Sequence, residues 1–162
     1  MDRIRKYGEK VLSEKSKKVE ATDKSVRKIV SNMKAVLKKA EGLGLAAPQV
    51  GISKRIFIAL DRDMGKIFTA VNPELVVKKG KEIDFEGCLS FPEIFFSVER
   101  AKKVVLKAFN EDGEEYLLEA EGLLARCIQH EIDHLDGRLI IDYATDEEKK
   151  NCSEKIERLL KK

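Results

Sequence analysis

The stretch QHEIDHLDG, Gln129–Gly137, holds both histidines of a 162-residue chain. His130 and His134 flank Glu131 in the pattern H-E-x-x-H. On an α-helix, at about 100° per residue, the two imidazoles differ in direction by only about 40°. They share one face, a turn apart, with a carboxylate beside them. That arrangement offers two ligands of a metal site together with a base. The stretch must be helical for this to hold, and Leu123, Ala125, Ile128 and Ile132 supply apolar residues at helical spacing. Unpaired imidazoles would be costly in such a setting, so metal ligation is favoured over an incidental polar surface. A helix is predicted from about Leu123 to Leu135, ended by Gly137.

The rest of the chain surrounds this helix with short elements. Val26, Ile29, Val30, Met33, Val36, Leu37 and Ala40 predict a helix over Asp23–Ala40, capped by Thr22 and stopped by Gly42. Strand-type runs follow at Arg55–Leu60, Ile67–Val71, Glu74–Lys78, Lys103–Phe109 and Glu115–Ala120. Turn signals at Asn72-Pro73, Lys79-Gly80 and Asn110–Gly113 separate several of them, and the last makes a hairpin of the two runs around it. A short apolar run resumes at Leu139–Ile141, and Asp146–Leu160 reads as a tail helix with acids at its start and bases at its end. The expected fold is α+β. Short, mostly antiparallel strands surround a central helix carrying H-E-x-x-H, between N-terminal and C-terminal helices, in one domain over residues 1–162.

Composition excludes several classes. Hydrophobic residues at 43% and charged residues at 38% describe a water-facing globular chain with no bilayer-length apolar run. The charge of +3, from 32 bases and 29 acids, is too even to argue for a DNA-binding face. Met1–Tyr7 carries bases but no following apolar segment, so it is not read as a secretory signal. Cys88, Cys127 and Cys152 are an odd, scattered set, which argues for a reducing, cytoplasmic setting rather than a disulfide framework.

A catalytic metal site of this kind usually takes three protein ligands. No third histidine exists, so a cysteine is the natural candidate. Cys127 lies on the same helix face, but roughly 7 Å along the axis from an ion held between the histidines, beyond the reach of a thiol. It and Leu123 would instead wall the site. Cys152, in the charged tail, reads as an incidental surface thiol. Cys88 remains, in EGCLS, where Gly87 would let the backbone turn. One cysteine and two histidines with a position left open form a catalytic rather than a structural set.

Three segments then stand together: GLGLAAPQ (Gly42–Gln49), EGCLS (Glu86–Ser90) and QHEIDH (Gln129–His134). In order and spacing they closely resemble the peptide deformylase family, over essentially the whole chain. The resemblance implies metal ligands at Cys88, His130 and His134, in agreement with the elimination above, and an acid/base at Glu131. It implies that the Gln49 side-chain amide and the Leu89 backbone N–H stabilise an oxyanion, and that the Gly44 backbone hydrogen-bonds the substrate. A plain turn glycine is the competing role for Gly44. The implied activity is removal of formyl from N-formylmethionine at the start of nascent polypeptides, releasing formate. Leu43, Leu123 and Cys127 are the candidates for the apolar slot that takes the methionine. Fe2+ is the metal implied, and Zn2+, Ni2+ or Co2+ also suit thiolate and imidazole.

Phe95 and Phe96 stand where some deformylases have a polar or basic residue; they either pack in the core or extend an apolar substrate surface. Two rival readings are a small zinc peptidase, which would cleave unformylated peptides without Cys88, and an idle homologue that only binds metal or nascent chains. The presence of Glu131 and Gln49 argues against the second. A weak ribosome contact is expected through the tail, whose Lys149, Lys150, Lys155, Arg158, Lys161 and Lys162 are nearly cancelled by Asp146, Glu147, Glu148, Glu154 and Glu157.

Overall fold

The computed structural model describes residues 3–161. Met1, Asp2 and the tail cation Lys162 lie outside the described residues. The chain is α+β and its named strands all pair antiparallel. A five-stranded sheet runs in the order β1 (Gly44–Ala46), β2 (Ile56–Asp61), β3 (Lys66–Lys79), β6 (Lys103–Phe109) and β7 (Glu115–Glu121). A separate hairpin, β4 (Glu82–Cys88) with β5 (Phe91–Arg100), is inserted between β3 and β6.

Helix α1 (Val26–Ala40) covers one face of the sheet and α2 (Gly122–Leu135) the other. The pleat of β2 explains its unbroken apolar run. Ile56 and Ile58 join the cluster under α1, while Phe57 and Ala59 join the one under α2. A third cluster lies between the β4–β5 hairpin, a 3-10 turn at Ile140–Tyr143 and the tail helices α3 (Asp146–Asn151) and α4 (Ser153–Leu160). The C-terminal end of α2 is held by Arg55, whose Nη1 donates to the Leu135 carbonyl at 2.9 Å and whose Nη2 pairs with Asp136. A cation there complements the helix dipole.

Several expectations need correction. Helix α1 starts at Val26, not Asp23, and Thr22 does not cap it. The Asp23 carboxylate instead accepts from the Ser25 backbone N–H at 2.8 Å, forming a turn ahead of the helix. At the other end the left-handed residue is Glu41, with φ 55°, rather than Gly42. Asn72-Pro73 is not a turn. Its two flanking runs form the single 14-residue strand β3, with a bulge at Asn72. Asn72 holds φ 50° while its side chain bonds both the N–H and the carbonyl of Val19. The β4–β5 hairpin was not expected. The tail helix breaks at Cys152, which is half-buried against the third cluster rather than a free surface thiol.

Candidate active site

Helix α2 presents His130 and His134 toward the end of β4, with ring centroids 5.0 Å apart. Cys88 closes that strand, and its Sγ lies 3.3 Å from His134 Nε2. The candidate ligand atoms of Cys88, His130 and His134 all fall within 4.8 Å of one another. Burial holds the His134 pKa well below the usual value, so its imidazole is neutral, the form that ligates. A thiolate and two imidazoles converging at this spacing fit a divalent transition ion. Cys127 does not join the cluster; burial and the neighbouring Glu131 raise its thiol pKa well above normal. Gly87, expected at a turn, lies inside β4 without a positive φ, and the reversal falls at Leu89-Ser90.

Behind His130 lies a buried ionic network that local sequence did not reveal. Its Nδ1 is 2.9 Å from Glu86 Oε1, which leaves Nε2 for the cluster. Arg100 grips both oxygens of Glu86 at 2.8 and 2.9 Å, and Arg126 Nη1 adds a third contact at 2.7 Å. Arg100 also pairs with Asp133, which accepts from the Tyr143 hydroxyl. Burial alone would raise the Glu86 pKa, but bonds from Arg100 and His130 overcome it and hold the carboxyl near 2. Burial would likewise lower the His130 pKa, and Cys88 and Glu86 outweigh it to raise it. Glu86 was legible in principle: it stands in EGCLS, and a ligating histidine characteristically gives its other nitrogen to a carboxylate. Arg100 carried no such signal because its strand was not foreseen.

In front of the cluster is a cleft of about 600 Å³ whose lining includes Leu43, Gly44, Gln49, Leu89, Cys127 and Glu131. Burial pushes the Glu131 carboxyl up to about 7. Its Oε1 is buried without a hydrogen-bond partner, as is His134 Nδ1. The Gln49 side chain is fixed at both ends. Its Oε1 accepts from the Ala46 N–H at 2.9 Å, and its Nε2 donates to Ser90 Oγ at 3.1 Å, 3.7 Å from Cys88 Sγ. Gly44 is not a turn glycine: a Cβ there would lie 2.6 Å from Glu131 Oε2 and 2.8 Å from Cys127 Sγ. Its backbone therefore passes directly beside the acid. Leu89 lines the cleft, and its carbonyl accepts from Lys6 Nζ at 3.2 Å. Leu123 also lines it, from the rim, since it is 49% exposed rather than part of the buried stripe.

Phe95 and Phe96 do not act as a pair. Strand alternation buries Phe96 in the third cluster and leaves Phe95 exposed on the cleft wall.

The profile of the polypeptide deformylase family matches residues 1–150. A peptide deformylase of Dictyoglomus thermophilum is 47% identical over 89% of this chain and 93% of its own. That of Caldicellulosiruptor bescii is 49% identical over 86% and 83% of the two chains. Among solved structures, peptide deformylase from Thermus thermophilus aligns with a TM-score of 0.92 at 34% identity, covering 99% of this chain and 98% of the other. Peptide deformylase from Legionella pneumophila aligns with a TM-score of 0.91 at 35% identity, covering 98% and 94%. This chain belongs to the polypeptide deformylase family, metalloenzymes that hydrolyse the formyl group from N-formylmethionine at the start of nascent polypeptides.

Proposed function

We propose that residues 1–162 act as one catalytic domain in which Cys88, His130 and His134 hold the metal and Glu131 moves the proton of deformylation. The observation that carries this reading is the convergence of three ligand atoms within 4.8 Å beside a buried, partnerless Glu131 oxygen. A divalent ion bound there supplies Lewis acidity, which makes water a nucleophile near neutral pH and polarises the formyl carbonyl. Glu131, with its pKa near 7, accepts the proton of the attacking water and delivers it to the departing amine nitrogen. Negative charge grows on the formyl oxygen. The Gln49 amide, pinned by Ala46 and Ser90, and the Leu89 N–H are the donors assigned to it. The Gly44 backbone pairs with the substrate backbone, and Leu43, Leu123 and Cys127 form the slot for methionine.

Fe2+ is the metal we assign, with Zn2+, Ni2+ or Co2+ as substitutes that the same donors accept. No helix among the described residues is long and apolar enough to cross a membrane. We place the enzyme in the cytoplasm, working on nascent chains, without DNA. The test is formate release from formyl-Met peptides by anaerobically purified protein, with metal content measured alongside. Cys88→Ala should lose both metal and activity, whereas Cys127→Ala should keep the metal and mainly raise KM. Metal that survives without Cys88, or efficient cleavage of unformylated peptides, would sink this assignment in favour of a two-histidine peptidase.

A further inference from the structure

The two groups assigned to the formyl oxygen stand on separate elements. Gln49 belongs to a 3-10 turn at Ala47–Val50, and Leu89 to the reversal between β4 and β5. The Gln49 side chain reaches across to Ser90 Oγ, 41 residues away in sequence. A third segment, at the start of the chain, ties the same two elements by their backbones. The Arg5 N–H donates to the Gln49 carbonyl at 2.7 Å, and the Tyr7 N–H donates to the Ser90 carbonyl at 3.0 Å. Between them, Lys6 Nζ donates to the Leu89 carbonyl at 3.2 Å, and Lys6 lines the cleft. Any donor would satisfy a buried carbonyl. Three consecutive residues that land on both donor-bearing elements do more than that. The segment is itself held in shape. Glu9 accepts from the Lys6 N–H at 2.6 Å and pairs with Arg3 at 2.8 Å and Arg5 at 3.4 Å. The Tyr7 ring stacks on buried Phe91, with centroids 4.8 Å apart. The Arg5 guanidinium lies against Gly51, where a Cβ would come within 2.7 Å of Nη2.

We propose that residues 5–7 are a strap that fixes the Gln49 amide relative to the Leu89 N–H, with Lys6 as a positioning residue for deformylation. This rests on the active-site assignment above. Leu89 follows Cys88 directly and is placed together with the ligand cluster. Gln49 is on a different element, and its backbone is registered against the Leu89-Ser90 reversal through Arg5, Lys6 and Tyr7. Donors of this kind act by being aimed in advance at the site where charge develops. A misplacement of about 1 Å can cost about 10²-fold in rate. Loosening the strap therefore acts on the transition state, where the oxyanion exists, and spares the binding of the formyl peptide.

The experiment measures kcat and KM for a formyl-Met peptide, with metal content and circular dichroism alongside. Lys6→Met keeps the aliphatic stem and removes the donor. Its kcat should fall by about tenfold with KM within about twofold of the unaltered protein. Tyr7→Pro, which deletes the N–H bonded to Ser90, should lower kcat further. In a Gln49→Ala background no amide remains to be placed, so Lys6→Met should then cost less than about twofold. A merely destabilising change would cost as much there as in the unaltered protein. Lys10→Met, exposed and outside the cleft lining, should leave kcat unchanged. Hydrogen exchange of the metal-replete protein, followed by mass spectrometry, reads the strap without activity: the Arg5 and Tyr7 amides should be protected. Where Tyr7→Pro does not fold, Lys6→Met alone decides. An unchanged kcat in Lys6→Met, a loss confined to KM, or a loss fully additive with Gln49→Ala overturns the inference. Unprotected amides beside normal formate release overturn the strap alone. Protected amides with no formate from any formyl peptide overturn the active-site assignment, and the strap's part in catalysis with it.

Discussion

Glu86 on β4 and Glu131 on α2 are 6% and 3% exposed, and their carboxyl groups are shifted in opposite directions. Glu86 is surrounded by donors from Arg100, Arg126 and His130, which hold it near 2. Glu131 has an oxygen with no donor at all, and burial carries it to about 7. Buried polar atoms are nearly always paired, so an orphaned carboxylate oxygen needs a reason. One glutamate is spent on architecture, fixing the ring of His130. The other is left with an unmade bond and a carboxyl pushed up to about 7, which supports the proton-exchanging role proposed for it.

Glu131→Gln tests the difference most severely. The amide keeps the shape but cannot relay a proton, so formate release should fall by about 10²–10⁴-fold while metal content stays near one ion per chain. Near-normal turnover in a metal-replete variant would remove the catalytic half of the contrast.

Glu86→Gln probes the other half. It leaves Arg100 and Arg126 buried beside a neutral group and loosens His130. Metal affinity, measured by chelator competition, should weaken by about 10–100-fold. Urea unfolding of the metal-free protein should show a loss of about 3–5 kcal/mol. Unchanged affinity would mean that His130 is held by α2 alone.

The pH dependence of stability sharpens the same comparison in the metal-free protein. The folded pKa of Glu86 lies below its usual 4.5, so its contribution is present above that pH and disappears as pH falls toward 2. That of Glu131 lies above it, so the stability it lends is present below pH 4.5 and lost as pH rises through 7. Glu131→Gln should therefore gain on the unaltered protein between those values, by on the order of 3 kcal/mol at about 1.4 kcal/mol per unit. A stability difference that is flat with pH would show that Glu131 is not desolvated in solution.

What sequence disclosed follows the same divide. The histidine helix, α1 and the β6–β7 hairpin were legible because their apolar periods and turn residues are local. Cys88 could be singled out as the third candidate because so few cysteines and histidines were on offer, and the structure brings it beside His130 and His134. The β4–β5 hairpin was not, because β4 breaks the usual pattern: Ile83 and Phe85 point outward and its one buried residue is Glu86, although β5 buries Ile94, Phe96 and Val98 in ordinary alternation. An inward Glu86 becomes tolerable only through Arg100 and Arg126, 14 and 40 residues away, and no local pattern contains that pairing. Asn72-Pro73 misled for a similar reason. The side chain of Asn72 is satisfied by Val19, 53 residues away, which lets a turn-forming residue serve as a bulge instead.

The exposed charges of the tail complete the contrast, because water screens what burial amplifies. Helices α3 and α4 are no free appendage. Ile156 and Leu159 pack on the third cluster, Glu148 bonds the Ser97 N–H and hydroxyl, and Lys155 Nζ donates to the Glu93 carbonyl. Truncation after Thr145 would therefore damage the hairpin that carries Cys88, and it is a poor test of ribosome contact. Lys149, Lys150, Arg158 and Lys161 are exposed and can be changed to Ala with the packing intact. If they touch ribosomal RNA, the slope of log affinity against log salt is about −0.7 to −0.9 per phosphate neutralised, so it should stay small. The quadruple variant should co-sediment less with ribosomes at low salt, match the unaltered protein at high salt, and hydrolyse short formyl peptides normally. Equal sedimentation at low salt would leave these cations as solvated ends of a helix whose work is to brace β5.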